Sequence, residues 1–189
     1  MAPEPLQPIF FYDLGSPACY LVAERIMSEL PIVPEWEPVL AVALAGADPE
    51  PLDRDAIRRQ AEEAELQPLR WPQRWPPDTE RAMLAATFAK RVGRAVAFSL
   101  AAFRQAFAGG RDLGEESTIL IAAAACEMHP AAVLKGMGTR SVTGALHDAG
   151  ERAGAAGATR VPAIQVGDAL LQGADCIGRA SEALALQAR

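Results

Sequence analysis

Short apolar runs near both ends of the chain bracket a long middle in which apolar side chains return every three or four residues. Residues 8–14 form the first run, rich in β-formers, and predict a strand. Leu21, Val22, Ile26 and Leu30 then recur at helical spacing and predict a helix over residues 17–30, which Pro31 ends. A second strand is expected from Trp36 to Val42, parallel to the first because a helix intervenes. Pro38 fits the start or edge of a strand better than its centre. Gly, Asp, Glu and Pro dominate from Gly46 to Pro51 and read as a linker leaving the sheet.

The middle is helical. Residues 53–65 predict a charged helix with little apolar face, either a solvated surface or a rim over an active site. Four prolines between Leu66 and Pro77 forbid a regular helix there. Leu84, Phe88, Val92, Val96, Leu100, Phe103 and Phe107 then form one buried stripe that continues across Gly93, where the helix can kink or divide. Further helices run through Ile119, Leu120 and Cys126, from Pro130, and through Val142, Leu146, Ala149 and Ala153. Apolar strands on either side of Gly167-Asp168 predict a hairpin, and Ile177, Ala180 and Leu184 mark one face of a last helix.

Composition narrows the class. With 189 residues, 50% of them hydrophobic, the chain can form one compact domain with an inserted subdomain. A formal charge of −6 and the absence of a basic run argue against nucleic acid as a partner, so an acidic ligand has to be attracted locally. No apolar run is long enough to span a membrane and the first residues lack a signal-like pattern, so a cytoplasmic protein is expected. Cys19, Cys126 and Cys176 include no close pair in sequence, and His129 and His147 have no metal-ligand spacing to them. Neither a disulfide framework nor a bound metal is expected.

The candidate chemistry lies in Asp13-Leu14-Gly15-Ser16-Pro17-Ala18-Cys19-Tyr20. Gly15 permits a sharp turn, Ser16 suits the helix N-cap, and Pro17 suits the first helical position. Ser16 is thereby presented where backbone N–H groups and the helix dipole favour an anion, including a thiolate. In the plainer reading Ser16 only caps the helix and Cys19 packs in the core. Ser-Pro-Ala-Cys also has the form of a Cys-Pro-x-Cys redox motif whose first cysteine is serine. A second stretch, Thr159 to Asp175, holds Val161-Pro162, the hairpin, Gly173 and Asp175.

Together these stretches resemble the DsbA-like thioredoxin superfamily, and within it the branch of 2-hydroxychromene-2-carboxylate isomerases and kappa-class glutathione transferases. Asp13, Ser16, Pro17 and Tyr20 match that branch's Asp-x-x-Ser-Pro-x-x-Tyr pattern; Val161, Pro162, Gly173 and Asp175 match its late Val-Pro, hairpin, Gly-x-Asp pattern. Ala18 and Ala174 depart from it, standing where an aromatic residue and an Asn are usual. The resemblance implies an α/β thioredoxin-like fold with a four-stranded mixed sheet. Residues 1–46 and 157–189 would form the discontinuous thioredoxin-like domain, and 47–156 an all-helical insertion able to roof the cleft above Ser16.

The resemblance also implies a glutathione-dependent isomerase or transferase with Ser16 as its catalytic residue. Val161, before a cis Pro162, would pair with the backbone of glutathione, Asp175 would hold its α-amino group, and Arg74 would join the same set. Arg70, Trp71 and Tyr20 would meet an aromatic carboxylate substrate. The residues by themselves leave alternatives open: the Trp-Arg loop can be simply pinned to the body, and Tyr20 can be a core tyrosine. Two other functions remain, a thiol-disulfide oxidoreductase working through Cys19 and a non-catalytic glutathione-binding module. A homodimer is compatible with the resemblance.

Overall fold

The computed structural model describes residues 7–44 and 52–187. Its four-stranded sheet has the order β2-β1-β3-β4, with β1 at Ile9–Tyr12, β2 at Glu35–Pro38, β3 at Ala163–Val166 and β4 at Ala169–Gln172. β2 runs parallel to β1, because the helices α1 (Pro17–Ala23) and α2 (Ile26–Glu29) carry the chain back between them. β3 is antiparallel to both β1 and β4. The tight β3–β4 connection passes through Gly167 at a φ of 59°, which glycine adopts without steric cost.

Both N-terminal strands are shorter than their apolar runs suggest, and the predicted helix over residues 17–30 is divided between α1 and α2. β2 begins at Glu35 and ends at Pro38, the last residue paired with β1. Beyond it the Ala41 N–H is taken by the Asp13 carboxylate at 2.9 Å, and Ala41–Ala43 forms a 3-10 turn in place of strand. Pro38 is tolerated because β2 is an edge strand.

Between β2 and β3 lie α3 (Arg54–Glu63), α4 (Glu80–Arg91), α5 (Ala95–Phe107), α6 (Glu116–Ala125), α7 (Pro130–Met137) and α8 (Arg140–Ala155); α9 (Cys176–Gln187) follows the hairpin. The long apolar stripe divides at Gly93, whose φ is 73°, and Val92 at the break is half exposed instead of buried. α4 touches α5, α7, α8 and β2 and buries mostly small residues, among them Ala82, Ala85, Ala86 and Ala89. Close approach on several sides leaves no room for one bulky stripe.

The sheet's alternation places Phe10, Tyr12, Trp36, Ile164 and Val166 in the larger core with α1, α4, α5 and α9. Phe11 and Ala163 point the other way, into a smaller core with Val39 and with Ala149 and Ala153 of α8. On the edge strand, buried Glu37 pairs with Lys90 of α4 at 2.6 Å and Arg152 of α8 at 3.1 Å, joining both helices to the sheet. The face of α9 is as predicted: Ile177, Ala180 and Leu184 are buried. The expected linker from Gly46 to Pro51 lies outside the described residues. Among those described, no helix is long and apolar enough to cross a membrane.

Candidate active site

The residue after β1 is Asp13, which is only 5% exposed. One carboxylate oxygen accepts the Gly15 N–H at 2.8 Å and the Thr79 hydroxyl at 3.0 Å, and the other accepts the Ala41 N–H at 2.9 Å. Burial raises its pKa, outweighing the three hydrogen bonds that pull it down. Gly15 lies so near Thr79 that an added Cβ would meet the threonine methyl at 2.7 Å. Three segments of the chain thus converge on this carboxylate, and they fix the direction in which Ser16 leaves the sheet.

Ser16 is the N-cap of α1, with Pro17 as its first helical residue. The Ser16 Oγ accepts the Cys19 N–H at 3.2 Å. A hydroxyl that accepts still has its proton to donate. Behind it, Cys19 is fully buried, and burial pushes its thiol far above the ordinary range despite the neighbouring Ser16 hydroxyl, which acts in the opposite direction. Burial likewise pushes Cys176 up to about 12. Both sulfurs are therefore protonated at neutral pH, and neither meets solvent.

Ser16, Pro17 and Ala18 border a cavity of about 550 Å³. Ala41 and Val42 of the 3-10 turn, Val161 and Pro162, and Gly173 and Ala174 add further walls. α3 contributes Ala56, Ile57 and Gln60, and its N-cap Asp53 joins them, the helical repeat bringing these positions to one face. The Val161–Pro162 peptide is cis. The segment before it is held by Gln172, whose Oε1 accepts the Thr159 and Arg160 N–H groups at 2.9 and 3.1 Å and whose Nε2 donates to the Gly157 carbonyl at 3.3 Å. A second recess of about 440 Å³ shares Gln60 and Ala174 with the first and is lined by Arg25, Glu29, Glu63 and Asp175.

A sequence profile of the DSBA-like thioredoxin domain matches residues 9–185. The chain belongs to the DSBA-like thioredoxin domain family. Among solved structures, 2-hydroxychromene-2-carboxylate isomerase superposes with a TM-score of 0.84 at 16% identity, covering 97% of each chain. A probable DsbA oxidoreductase from Streptomyces coelicolor gives 0.77 at 18% identity, covering 96% of this chain and 89% of that one. The cytosolic disulfide reductase DsbM from Pseudomonas aeruginosa gives 0.66 at 15% identity, and its structure with GSH 0.66 at 14%, each over 96% of both chains. These likenesses support the thioredoxin-like fold with its helical insertion. No curated protein matches in sequence.

Within this DSBA-like domain the structure brings Ser16, Val161 and Pro162 together around one cavity and places Asp175 in the adjoining recess. It does not bring Arg70, Trp71, Arg74 or Tyr20 to the lining. Trp71 packs edge-on against Trp75 at 5.2 Å and Phe107 at 6.2 Å, with the Arg54 guanidinium 4.8 Å from its ring centre. The Trp-Arg loop is therefore pinned to the body, and Arg70 and Arg74 are exposed on it. Tyr20 is 2% exposed and stacks on Phe107 at 5.5 Å, a core tyrosine.

Sequence reasoning missed Ala41 and Val42, the particular residues of α3, and Thr159 and Arg160 as lining residues. The signal for α3 was present: Asp53, Ala56, Ile57 and Gln60 fall at i, i+3, i+4 and i+7. Their mixed polarity conceals the face from a purely hydrophobic reading.

Proposed function

We propose that this protein is a glutathione-dependent isomerase or transferase acting on conjugated aromatic carboxylates, with Ser16 stabilising the glutathione sulfur. The observation that carries this reading is the Ser16 hydroxyl at the cavity, its oxygen engaged by the Cys19 N–H while the chain's own nearby sulfur is sealed. Glutathione, when bound, would supply the nucleophilic sulfur that this site does not expose.

The residues present suit that ligand. The Ser16 hydroxyl and the Ala18 N–H, one of the first-turn donors without an intrahelical partner, can both donate to the sulfur and favour its deprotonated form. Val161 offers backbone N–H and carbonyl groups to a peptide-like partner along the cavity wall. Asp175 and Glu63 in the adjoining recess suit a protonated α-amino group. Val42, Leu52, Ala56 and Ile57 provide an apolar surface for a flat ring and limit the water around the reacting atoms. The structural likeness to an isomerase of a chromene carboxylate and the relative solved with GSH support the choice. A cytoplasmic setting, where glutathione is kept reduced, belongs to the proposal.

A dithiol mechanism is disfavoured because position 16 is serine and all three cysteines are buried. The test is calorimetric titration of reduced glutathione into the wild type and Ser16→Ala across neutral and alkaline pH, with turnover of 2-hydroxychromene-2-carboxylate followed alongside. Wild-type binding should release protons. Ser16→Ala should raise the apparent thiol pKa by about one unit, the equivalent of one weak charge-assisted hydrogen bond, and lower turnover about 100-fold. Absence of glutathione binding to either protein would reject the reading.

A further inference from the structure

We infer that Arg54 is a positioning residue of this cavity: seated over the Trp71 and Trp75 rings, its guanidinium fixes α3 as a wall of the space that Ser16 borders. The inference deepens the glutathione reading and rests on it for the ligand used as a probe. Ala56, Ile57 and Gln60 of α3 line the cavity, and Gln60 and Glu63 continue into the adjoining recess. Arg54, Ile57 and Ala61, at i, i+3 and i+7, form the neighbouring face of the helix. Ala61 is buried and Ile57 packs against the larger core, but both lie beyond the first turn. Arg54 is the first helical residue, with its guanidinium carbon 4.8 Å from the centre of the Trp71 ring and 5.9 Å from that of Trp75. A cation in a first turn opposes the helix dipole, so the attraction of the rings, and not the helix, accounts for its place.

The rings are themselves anchored. The Arg70 N–H donates to the Phe107 carbonyl at 2.7 Å, at the end of α5, and Trp71 and Trp75 both meet the Phe107 ring, at 6.2 and 6.5 Å. The same segment of chain runs on to Pro77 and Thr79, which close on Gly15: a Cβ added there would lie 3.3 Å from the proline Cγ and 2.7 Å from the threonine methyl. One segment therefore touches the start of α3 through its tryptophans and the turn presenting Ser16 through its far end. It sets the spacing between the two while placing none of its own residues in the cavity lining. A ligand that reaches from Ser16 to α3 gains affinity when that spacing is fixed before it binds.

The experiment compares wild type with Arg54→Met, Arg54→Lys and Arg59→Gln. Methionine keeps an unbranched stem without charge, lysine keeps a cation for the rings, and Arg59 is an exposed arginine of the same helix that meets neither ring. All the residues involved are good helix formers, so intrinsic propensity stays nearly constant. Amide exchange followed by mass spectrometry reads α3, and calorimetry reads the affinity for reduced glutathione. Arg54→Met should speed exchange in α3 and weaken glutathione about three- to fivefold, the equivalent of one cation–π contact, while turnover of 2-hydroxychromene-2-carboxylate at saturating glutathione holds. Arg54→Lys should recover part of both losses, and Arg59→Gln should match wild type. The inference is overturned if α3 exchanges as slowly in Arg54→Met as in wild type, if Arg59→Gln loosens it equally, if α5 and α9 loosen to the same extent as α3, or if α3 loosens while glutathione affinity holds. Wild-type glutathione binding with an α3 indifferent to Arg54 rejects this inference and leaves the proposed function standing. A wild type that does not bind glutathione rejects the proposed function, and exchange then decides alone: protection of α3 that depends on Arg54 upholds the positioning role, and protection that does not rejects it.

Discussion

Asp13 acts through hydrogen bonds and not through chemistry of its own. Its carboxylate accepts three donors from three segments, so Asp13→Ala strands the Gly15 N–H, the Ala41 N–H and the Thr79 hydroxyl together. A loss of roughly 2–4 kcal/mol is expected, read from the urea midpoint. The folded pKa is raised above the unfolded one, so this group favours folding most below its unfolded pKa and loses that contribution as pH rises through the folded value. Asp13→Asn removes the titration and should flatten the part of the stability profile that starts in the ordinary aspartate range and extends above it, measured by melting. At the cysteines, burial and the protonated thiols predict that Cys19 and Cys176 resist alkylation in the native protein and label fully in denaturant, which peptide mass spectrometry can follow. Ser16 and its cap were legible in the sequence because capping is local chemistry. Arg160 was not, because its place depends on a carboxamide 12 residues further along the chain.

At the scale of elements, α7 and α4 approach closely enough for a single methyl to test the contact. A Cβ at Gly136 would lie 2.3 Å from the Phe88 ring, so Gly136→Ala must displace a side chain wedged between helices. A cost of about 1–3 kcal/mol is expected by thermal or urea unfolding, although alanine is the better helix former. The helices themselves were legible from their apolar spacing, and Gly93 marked where the stripe could kink or divide, but the spacing did not say which, since the stripe runs across Gly93 without changing phase. The break is a backbone event, with a positive φ at one glycine, and periodicity cannot report it. α3 was ambiguous for a different reason. Its cavity face mixes Asp53 and Gln60 with Ala56 and Ile57, and such a face is mistaken for a solvated one until a wall stands across from it.

For the molecule as a whole, the fold was legible because two separated stretches, Asp13–Tyr20 and Val161–Asp175, each match one part of a thioredoxin-like arrangement. The course of the Trp-Arg loop was not. Its tryptophans suit a ligand or a core equally well, and contact with Phe107 and Arg54, both remote in sequence, decides for the core. A ligand of the native cavity must also stabilise the entire fold. Glutathione at about 100 times its dissociation constant should add roughly 2.7 kcal/mol to unfolding, seen as a higher melting temperature that Ser16→Ala diminishes.

The Thr79 hydroxyl comes from the segment just before α4, yet it completes the hydrogen-bond set of a carboxylate at the end of β1. The helical layer is consequently not an interchangeable module. A chimera that grafts a different helical block onto this sheet would need to return a hydroxyl to that one point, in contact range of Gly15, or the turn presenting Ser16 would lose a support that no residue of the sheet replaces. Descendants of this chain are therefore expected to diversify at the cavity walls sooner than at this junction.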